Sequence, residues 1–472
     1  MDYINGVDRE QQVLFPEVLD EYVGEENQVR FLDAFVRRLD LEALGFGRAS
    51  QPVSGRPPYH PGDMLRLYIY GYLHKIRSSR KLERETHRNV ELMWLLRKLR
   101  PDHKTIAEFR RANPRALRRV CREFTVLCKR LDLFAGELVA IDGSKFRAAN
   151  SKARNYTRKD VKRLLGAIDR KIGRYLGELD TQDATEAAVT SPSRPELQQR
   201  IATLQEQQAA YQRLLTDLDE AGQGQVSLTD PDSRRMKSGL RTEVSYNVQT
   251  AVEAKHKLIV AEDVTNEGTD QRGLSAMAQA AQGVLEAEAL MVVADRGYYN
   301  GPDIKRCVDA GITPLVPKPR TSGNRKRGLF TKEDFWYDRE RDCYHCPAGA
   351  TLTNRSAPGR RYRCYRTPAC GGCALKARCT RNKQGRCLVR WEHEGVLDEM
   401  ARDLTRRPDV VRQRALLAEH PFGTMKRGMD QGYFLLRGLE KVKAEFSLTV
   451  LAYNLKRVIR IVGVPQLLAA LG

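Results

Sequence analysis

Two short apolar runs, each ending in an aspartate, constrain this chain more than any other feature: GELVAID at residues 136–142 and LMVVAD at residues 290–295. Each suits a buried strand and is too short for an ordinary helix, and each carries a carboxylate at its end. Further strand-like runs lie at residues 244–252, 257–264 and 314–316, with a helical pattern at 274–285 between them. Strands and helices in this order predict an α/β layer structure.

At 472 residues the chain exceeds one ordinary hydrophobic core, so two or more domains are expected. An apolar fraction of 41% is compatible with a folded globular protein. No apolar run reaches the roughly 18 residues of a membrane span. The opening residues have neither a basic region nor an apolar stretch, so no secretory signal is expected and the cytoplasm is the expected location. A net charge of +21 and a pI of about 9.6 point to a polyanionic partner. The positive excess is concentrated at residues 75–130 and 145–163, which favours nucleic acid; no basic amphipathic anchor for acidic lipid is evident.

Residues 28–41 read as an amphipathic helix, followed by the Pro/Gly/Ser linker QPVSGRPPYHPG. Pro61 suits the first turn of the next helix, and residues 64–75 carry a broad apolar face. RSSRKLERETHRNVELMWLLRKL continues the pattern, with Leu82, Val90, Met93 and Leu96 opposite a basic face. Thr105 and Glu108 read as a capping box opening a helix with Arg110 and Arg111 in its early turns. The whole of residues 56–130 is thus expected to be helical, basic and in contact with DNA. Residues 158–221 read as a helical hairpin broken near SPSRP. Residues 398–425 and 440–462 read as helices, the second amphipathic through Phe446, Leu448, Leu451, Leu455 and Ile459.

Of ten cysteines, Cys121, Cys128 and Cys307 stand alone and read as reduced, partly buried thiols, whereas seven crowd into residues 343–387. In a cytosolic chain such clustering favours a metal over disulfides. Two C-x2-C pairs, Cys343/Cys346 and Cys370/Cys373, with Cys379 nearby, suit structural tetrahedral Zn²⁺. Pair logic alone selects Cys343, Cys346, Cys370 and Cys373. A catalytic zinc is not expected, because no His or Glu accompanies the cysteines in a hydrolytic arrangement.

Asp142 and Asp295 suit Mg²⁺, which takes oxygen ligands and is commonly held by one or two carboxylates. Two such ions serve the attacking and leaving oxygens of a phosphodiester displacement. The surrounding blocks are HPGDMLRLYIYGYLHKIRSSRKLERE and PDHKTIAEFRR, then IDGSKFRAANSK, SYNVQTAVEAKHKLIVAEDVTNEGTD and VVADRGYYN, and finally EHPFGTMKRGMDQGYFLLRGLEKVKAEFSLTVLAYNLKRVI. In these blocks, over nearly its whole length, the chain resembles DDE transposases of bacterial insertion sequences. The similar subgroup has a helical N-terminal domain and a cysteine-rich insert.

That resemblance implies an RNase H-like α/β catalytic domain at residues 134–462, interrupted by a helical insertion at 156–222 and a zinc-ribbon-like insertion at 330–390. An all-α DNA-binding domain at residues 1–133 precedes it. It implies Asp142, Asp295 and Glu419 as catalytic ligands of two Mg²⁺ (or Mn²⁺) ions, and Lys426 as a contact to DNA. Lys145, Arg296 and Asn247 are lesser candidates near the metals, and Arg110 and Arg111 are expected DNA contacts in the helical domain. The subgroup's pattern implies Cys346, Cys370, Cys373 and Cys379 as zinc ligands. Two departures stand out: Arg412 occupies the position of the family's Tyr, and Arg414 lies one residue from its Arg, which falls on Ala415. Pro421 and Gly423 also disfavour a regular helix between Glu419 and Lys426. The block TDPDSRRM supplies two rival carboxylates, Asp230 and Asp232, beside Arg234.

The expected activity is binding of terminal inverted repeats, cleavage at the element ends and joining of the 3′-hydroxyl to target DNA. A homodimer on DNA and a location at the bacterial nucleoid follow from the same resemblance. A domesticated nuclease that cuts without joining, or a DNA-binding protein with an idle centre, are the alternatives.

Overall fold

The computed structural model describes residues 18–46, 57–150, 154–184, 192–220, 222, 224–239, 241–320 and 322–471. The opening residues and the first half of the expected linker lie outside these.

Among the described residues, six α-helices come first, after a short 3-10 turn at Leu19–Tyr22. The first, α1 (Gln28–Arg38), opens where the Asn27 side chain accepts from the Val29 amide. The second, α2 (Pro61–Leu73), starts with proline in its first turn and is buried on every side rather than along one face. The basic run that follows is not one helix but two, α3 (Ser79–Thr86) and α4 (Val90–Leu95). The break falls at Asn89, whose side chain caps the Leu92 amide at 3.1 Å. The next helix, α5 (His103–Ala112), is capped by Asp102 rather than Thr105: the Asp102 carboxylate accepts from the amides of Lys104 and Thr105 at 2.9 and 3.1 Å. An ionised acceptor one turn earlier outcompetes the expected hydroxyl cap. The series ends with α6 (Pro114–Arg130).

The central sheet contains β1 (Leu138–Arg147), β4 (Arg234–Ser238), β5 (Arg241–Glu253), β6 (Ile259–Thr265), β7 (Leu290–Ala294) and β8 (Ile312–Leu315). Its order is β4-β5-β1-β7-β8, with β6 also paired to β5. The pairs β1–β5 and β5–β6 are antiparallel, whereas β1–β7 and β7–β8 are parallel. Between β1 and β4 lie a two-stranded clasp, β2 (Asn155–Thr157) and β3 (Gln225–Ser227), and the long hairpin α7 (Arg158–Ala184) and α8 (Arg194–Glu220). Helices α9 (Leu274–Leu285) and α10 (Gly301–Asp309) follow β6 and β7.

The short helix α11 (Gly323–Lys326) precedes the cysteine-rich segment, which forms a second, antiparallel sheet of β9 (Trp336–Asp338), β10 (Cys343–His345), β11 (Thr351–Asn354), β12 (Tyr362–Arg366) and β13 (Leu388–Trp391). Between β12 and β13 lies α12 (Lys376–Cys379). Cys364 and Cys387 are joined as a disulfide, contrary to the expectation of a metal rather than disulfides: Cys364 pairs with Val389 across the ladder, and Cys387, two residues before Val389, lies diagonally opposite with its Cα 6.1 Å away.

After this come α13 (Glu394–Arg406) and α14 (Pro408–Gly423), which continues through Pro421 into a π-helical turn at Thr424–Gly428. The helix thus survives the proline and glycine that were expected to break it. The wider turn directly after Pro421 is the kind of local adjustment by which a helix absorbs a lost backbone bond. Last come α15 (Leu439–Val462) and α16 (Val464–Ala469). Instead of presenting one apolar stripe, α15 is buried around most of its circumference from Val442 to Val458. It packs on α2, α6 and β6 together, so the helical N-terminal region and the sheet share one continuous hydrophobic core.

That shared core contains an ion pair. Glu445 on α15 is fully buried and stands 3.6 Å from Arg77, which also donates to the carbonyls of Tyr433 and Asp430. The amides of Leu435 and Leu436 donate to Glu445 as well, so neither charge is left unsatisfied. The TDPDSRRM block docks the start of the same helix: Asp232 accepts from the Leu439 amide at 2.8 Å, and Asp230 from the Tyr246 hydroxyl at 2.8 Å and the Gly438 amide at 3.1 Å.

Candidate active site

Strand β1 does not stop at Asp142 as its apolar run suggested; it continues to Arg147, and Asp142 sits mid-strand. What stops is its neighbour. The β1–β7 ladder ends at the pair Ile141/Ala294, so Asp142 and Asp295 are the next residues on two adjacent parallel strands. Beyond that point β1 keeps β5 on one side and loses β7 on the other, which opens a notch in the sheet.

The pleat decides which way the carboxylates face. Ala140 and Val293 pack with Leu315 against Leu417 and Ala418 of α14. Two residues further on, Asp142 and Asp295 share that face. Helix α14 also carries Glu419 and Arg414, and the Arg414 guanidinium lies 3.8 Å from Asp142 Oδ2 and 3.9 Å from Glu419 Oε1. One arginine thereby links two of the three expected acids. Asp142 is 19% exposed and Glu419 is 69% exposed, so the third acid sits at the solvent rim.

Each aspartate commits one oxygen to the backbone: Asp142 Oδ1 accepts from the Gly143 amide and Asp295 Oδ1 from the Gly297 amide, both at 2.8 Å. Burial, with smaller contributions from Asp295 and Asp270, pushes Asp142 up to about 6, against the opposing pull of the Gly143 amide and Arg414. Crowded, partly desolvated carboxylates of this kind are stabilised by a cation.

Sequence reasoning missed Asp270. Its Oδ1 accepts from Asn247 at 2.6 Å and Gln249 at 2.7 Å, and lies 3.5 Å from Lys145 Nζ. These side chains stand on the sheet face opposite Asp142, and Gly143 makes room for them: a Cβ there would meet Gln249 Nε2 at 2.4 Å and Asp270 Oδ1 at 2.6 Å. The signal was present in the block VTNEGTD, but a loop acid has no periodicity to mark it. The Asn247 Oδ1 atom is buried without a hydrogen-bond partner among the described residues.

The expected cationic contacts divide. Arg296 is exposed beside Asp295. Lys145 is largely buried, its pKa lowered by desolvation against the pull of Asp270. Lys426 is half-buried; its ammonium donates to Ser144 Oγ at 2.7 Å and the Lys145 carbonyl at 3.0 Å, over the Phe146 ring. Arg111 reaches solvent and pairs with Glu108. Arg110 does not fit a DNA contact: it is 5% exposed, donates to the Tyr72 hydroxyl at 3.1 Å and packs over Tyr68. It shares the inward face of α5 with Ile106, one turn earlier.

In the second sheet, Cys346, Cys370, Cys373 and Cys379 line one small pocket floored by Phe330 and Phe335. The Cys379 thiol is pushed up by burial and by the other three sulfurs, against the pull of Arg386. Cys346 opens a tight turn in which the Gly349 amide donates back to its carbonyl at 2.8 Å. Cys343 is not part of this pocket; it lies beside His345 and Asp338.

Two families match this chain by sequence: one described as Transposase domain (DUF772), over residues 17–112, and one described as Transposase DDE domain, over residues 343–459. The chain belongs to the DDE-type transposases. Glu419 and the cysteine pocket of the transposase fall within the second matched range, whereas Asp142 and Asp295 lie between the two. A DDE transposase works with divalent metal ions. No curated protein matches the transposase. Among solved structures, the cryo-EM structure of the piggyBac transposase synaptic complex with hairpin DNA is similar over 92% of this chain and 75% of that chain, at 8% identity and a TM-score of 0.33. No helix among the described residues of the transposase is long and apolar enough to cross a membrane.

Proposed function

We propose that this transposase binds the terminal inverted repeats of an insertion sequence, hydrolyses the DNA at the element ends and joins the freed 3′-hydroxyl to target DNA. The observation that carries this reading is the notch where β7 ends, with Asp142 and Asp295 side by side and Glu419 tied to Asp142 through Arg414. Four antiparallel strands extended by two parallel ones, with acids at neighbouring strand positions, support an RNase H-like catalytic domain. The divisions at residues 133, 156–222 and 330–390 follow the helical series, the α7–α8 hairpin and the second sheet.

The donor set suits Mg²⁺ or Mn²⁺, since it offers oxygen alone and leaves Asp142 Oδ2 and Asp295 Oδ2 free of backbone bonds. Asp142, Asp295 and Glu419 would hold two such ions, which when bound activate the attacking oxygen and stabilise the leaving one. The chain's own groups do the rest. Arg414 balances negative charge between Asp142 and Glu419. Lys426 stiffens β1 beside Asp142 and retains one N–H for a phosphate, and Arg296 offers a solvent-facing cation at the notch. Asp270 holds Lys145, Asn247 and Gln249 in place behind the strand. The four-sulfur pocket is read as a structural Zn²⁺ site in a ribbon-like insertion, and a dimer is the natural assembly for two element ends.

The test is cleavage and strand transfer with Mg²⁺ on DNA carrying the element's ends, comparing wild type with Asp142→Ala. Joined product from wild type and none from the variant supports the reading. Cutting without joining points to a nuclease, binding alone to an idle centre, and full strand transfer by Asp142→Ala removes the site assignment.

A further inference from the structure

A further set of metal-ligating atoms converges in the second sheet, away from the notch and the four-sulfur pocket. The ligand atoms of Asp338, Cys343 and His345 all lie within 4.8 Å of one another. Strand geometry produces the cluster. In the antiparallel pair β9–β10, Cys343 lies directly opposite Asp338, and His345, two residues along, shares the face of Cys343. Trp336 lies opposite His345 and stacks on its ring at 5.0 Å, fixing the imidazole plane.

The individual atoms are oriented for a common ligand. Asp338 uses Oδ1 to accept from the amides of Glu340 and Arg341 at 3.0 and 3.2 Å, while its Oδ2 lies 4.0 Å from His345 Nε2. The same Nε2 is 3.7 Å from Cys343 Sγ. On the far side of the ring, Nδ1 is 3.4 Å from Thr351 Oγ1, the outer hydrogen bond that commonly orients a ligating histidine.

We propose that Asp338, Cys343 and His345 form a second metal site, selective for Zn²⁺ or a similar borderline ion and separate from the four-sulfur pocket. One thiolate, one imidazole and one carboxylate are the donor types such an ion accepts. Tetrahedral ligands at about 2.0–2.3 Å stand about 3.3–3.6 Å from each other. The observed 3.7 Å therefore needs to close by only a few tenths of an ångström and the 4.0 Å by about 0.6 Å, while all three ligand atoms already lie within 4.8 Å of one another. Cys343 is buried, whereas Asp338 and His345 are 15% and 30% exposed, so the fourth position faces solvent and takes water. Binding releases the thiol proton of Cys343 to solvent, leaving the thiolate on the metal. The rival arrangement is a plain His345–Asp338 ion pair with the thiol as bystander, reinforced by Arg341, whose Nε is 4.0 Å from Asp338 Oδ2. Sequence reasoning passed over His345 because pairing cysteines by spacing groups Cys343 with Cys346, whereas alternation along β10 groups it with His345.

The test uses the full chain, stripped with a chelator and titrated with Co²⁺ alone, reading the sulfur-to-cobalt charge-transfer absorption and the bound metal per chain. The carboxylate notch has no sulfur and does not contribute to that absorption. Cys370→Ser/Cys373→Ser removes the four-sulfur pocket; the proposal expects a one-sulfur band at one cobalt per chain to remain, and His345→Ala added to it to abolish the band. In the otherwise native chain, His345→Ala alone is expected to lose one metal equivalent, which decides the matter if the double cysteine variant does not fold. A wild-type band and stoichiometry in His345→Ala overturn the proposal, as does a folded Cys370→Ser/Cys373→Ser chain without any sulfur–cobalt band.

Discussion

Arg414 holds its guanidinium 3.8 Å from the Asp142 carboxylate, on a helix whose sequence register did not assign it there. Its positive charge is one of the two influences that hold Asp142 down against burial. Arg414→Gln is therefore expected to raise the Asp142 pKa further. The acidic limb of the pH–rate profile for Mg²⁺-dependent cleavage should move upward, by up to about one unit. Arg414→Lys should restore part of the shift. An unmoved limb in Arg414→Gln would show that the guanidinium does not act on Asp142.

Asp142 itself links activity to stability with opposite signs. Its folded-state pKa of about 6 is raised above the ordinary carboxylate value, so the unfolded chain ionises first and the metal-free fold loses stability as pH rises from about 4 to 6. Above that window the whole penalty is present. Asp142→Asn should abolish cleavage yet raise the melting temperature of the metal-free protein at pH 7.5, by up to about 3 kcal/mol of stability. Near pH 4 the two proteins should melt together. Equal melting at both pH values would contradict the burial of this charge.

Gly143 is required by space rather than by backbone conformation. Adding one methyl group there drives into Gln249 and Asp270. Gly143→Ala should cost about 1–3 kcal/mol by overpacking and lower cleavage at least tenfold, while DNA binding in a gel-shift assay stays close to wild type. Normal cleavage by Gly143→Ala would mean that Asp270 and its partners are free to move.

The buried pair Arg77–Glu445 predicts a folding defect. Glu445→Ala leaves Arg77 without its carboxylate inside the core and should destabilise the chain by about 3–5 kcal/mol. Urea unfolding followed by intrinsic fluorescence is the measurement. A loss below about 1 kcal/mol would place water beside the pair.

Removal of metal from the four-sulfur pocket should act locally. Cys370→Ser is expected to lower zinc content by one equivalent and expose the second sheet to protease, leaving the central sheet resistant. Unchanged zinc content in this variant would rule the pocket out as a metal site.

Much of the central sheet was legible because buried strands are short apolar runs bounded by polar residues. The helix 274–285 and the strand 290–294 were placed to the residue, since both are bounded by clear breaks in pattern. The continuation of β1 past Asp142 was not legible, because DGSKF is polar along a strand whose outer half borders the open notch. Arg110 was misread because charge suggests a surface, and only the tyrosines of α2, three helices earlier, supply the buried partners that make it tolerable. Asp270 was missed, and Arg414, noted as one residue off the family's Arg, was left out of the site, for a common reason: each meets Asp142 or its neighbours through tertiary packing that no local spacing encodes. His345 was missed because cysteine spacing drew the eye along the chain and not across the ladder.

The burial of α15 against α2 and α6 has a consequence for how the molecule is made. The amino-terminal helices emerge from the ribosome roughly 300 residues before the segment that completes their interior. At about 5–20 residues per second, they wait for about 15–60 s with apolar surface uncovered. A copy of the gene broken anywhere before its final stretch would therefore yield a sticky, unfinished product rather than a competent DNA-gripping fragment.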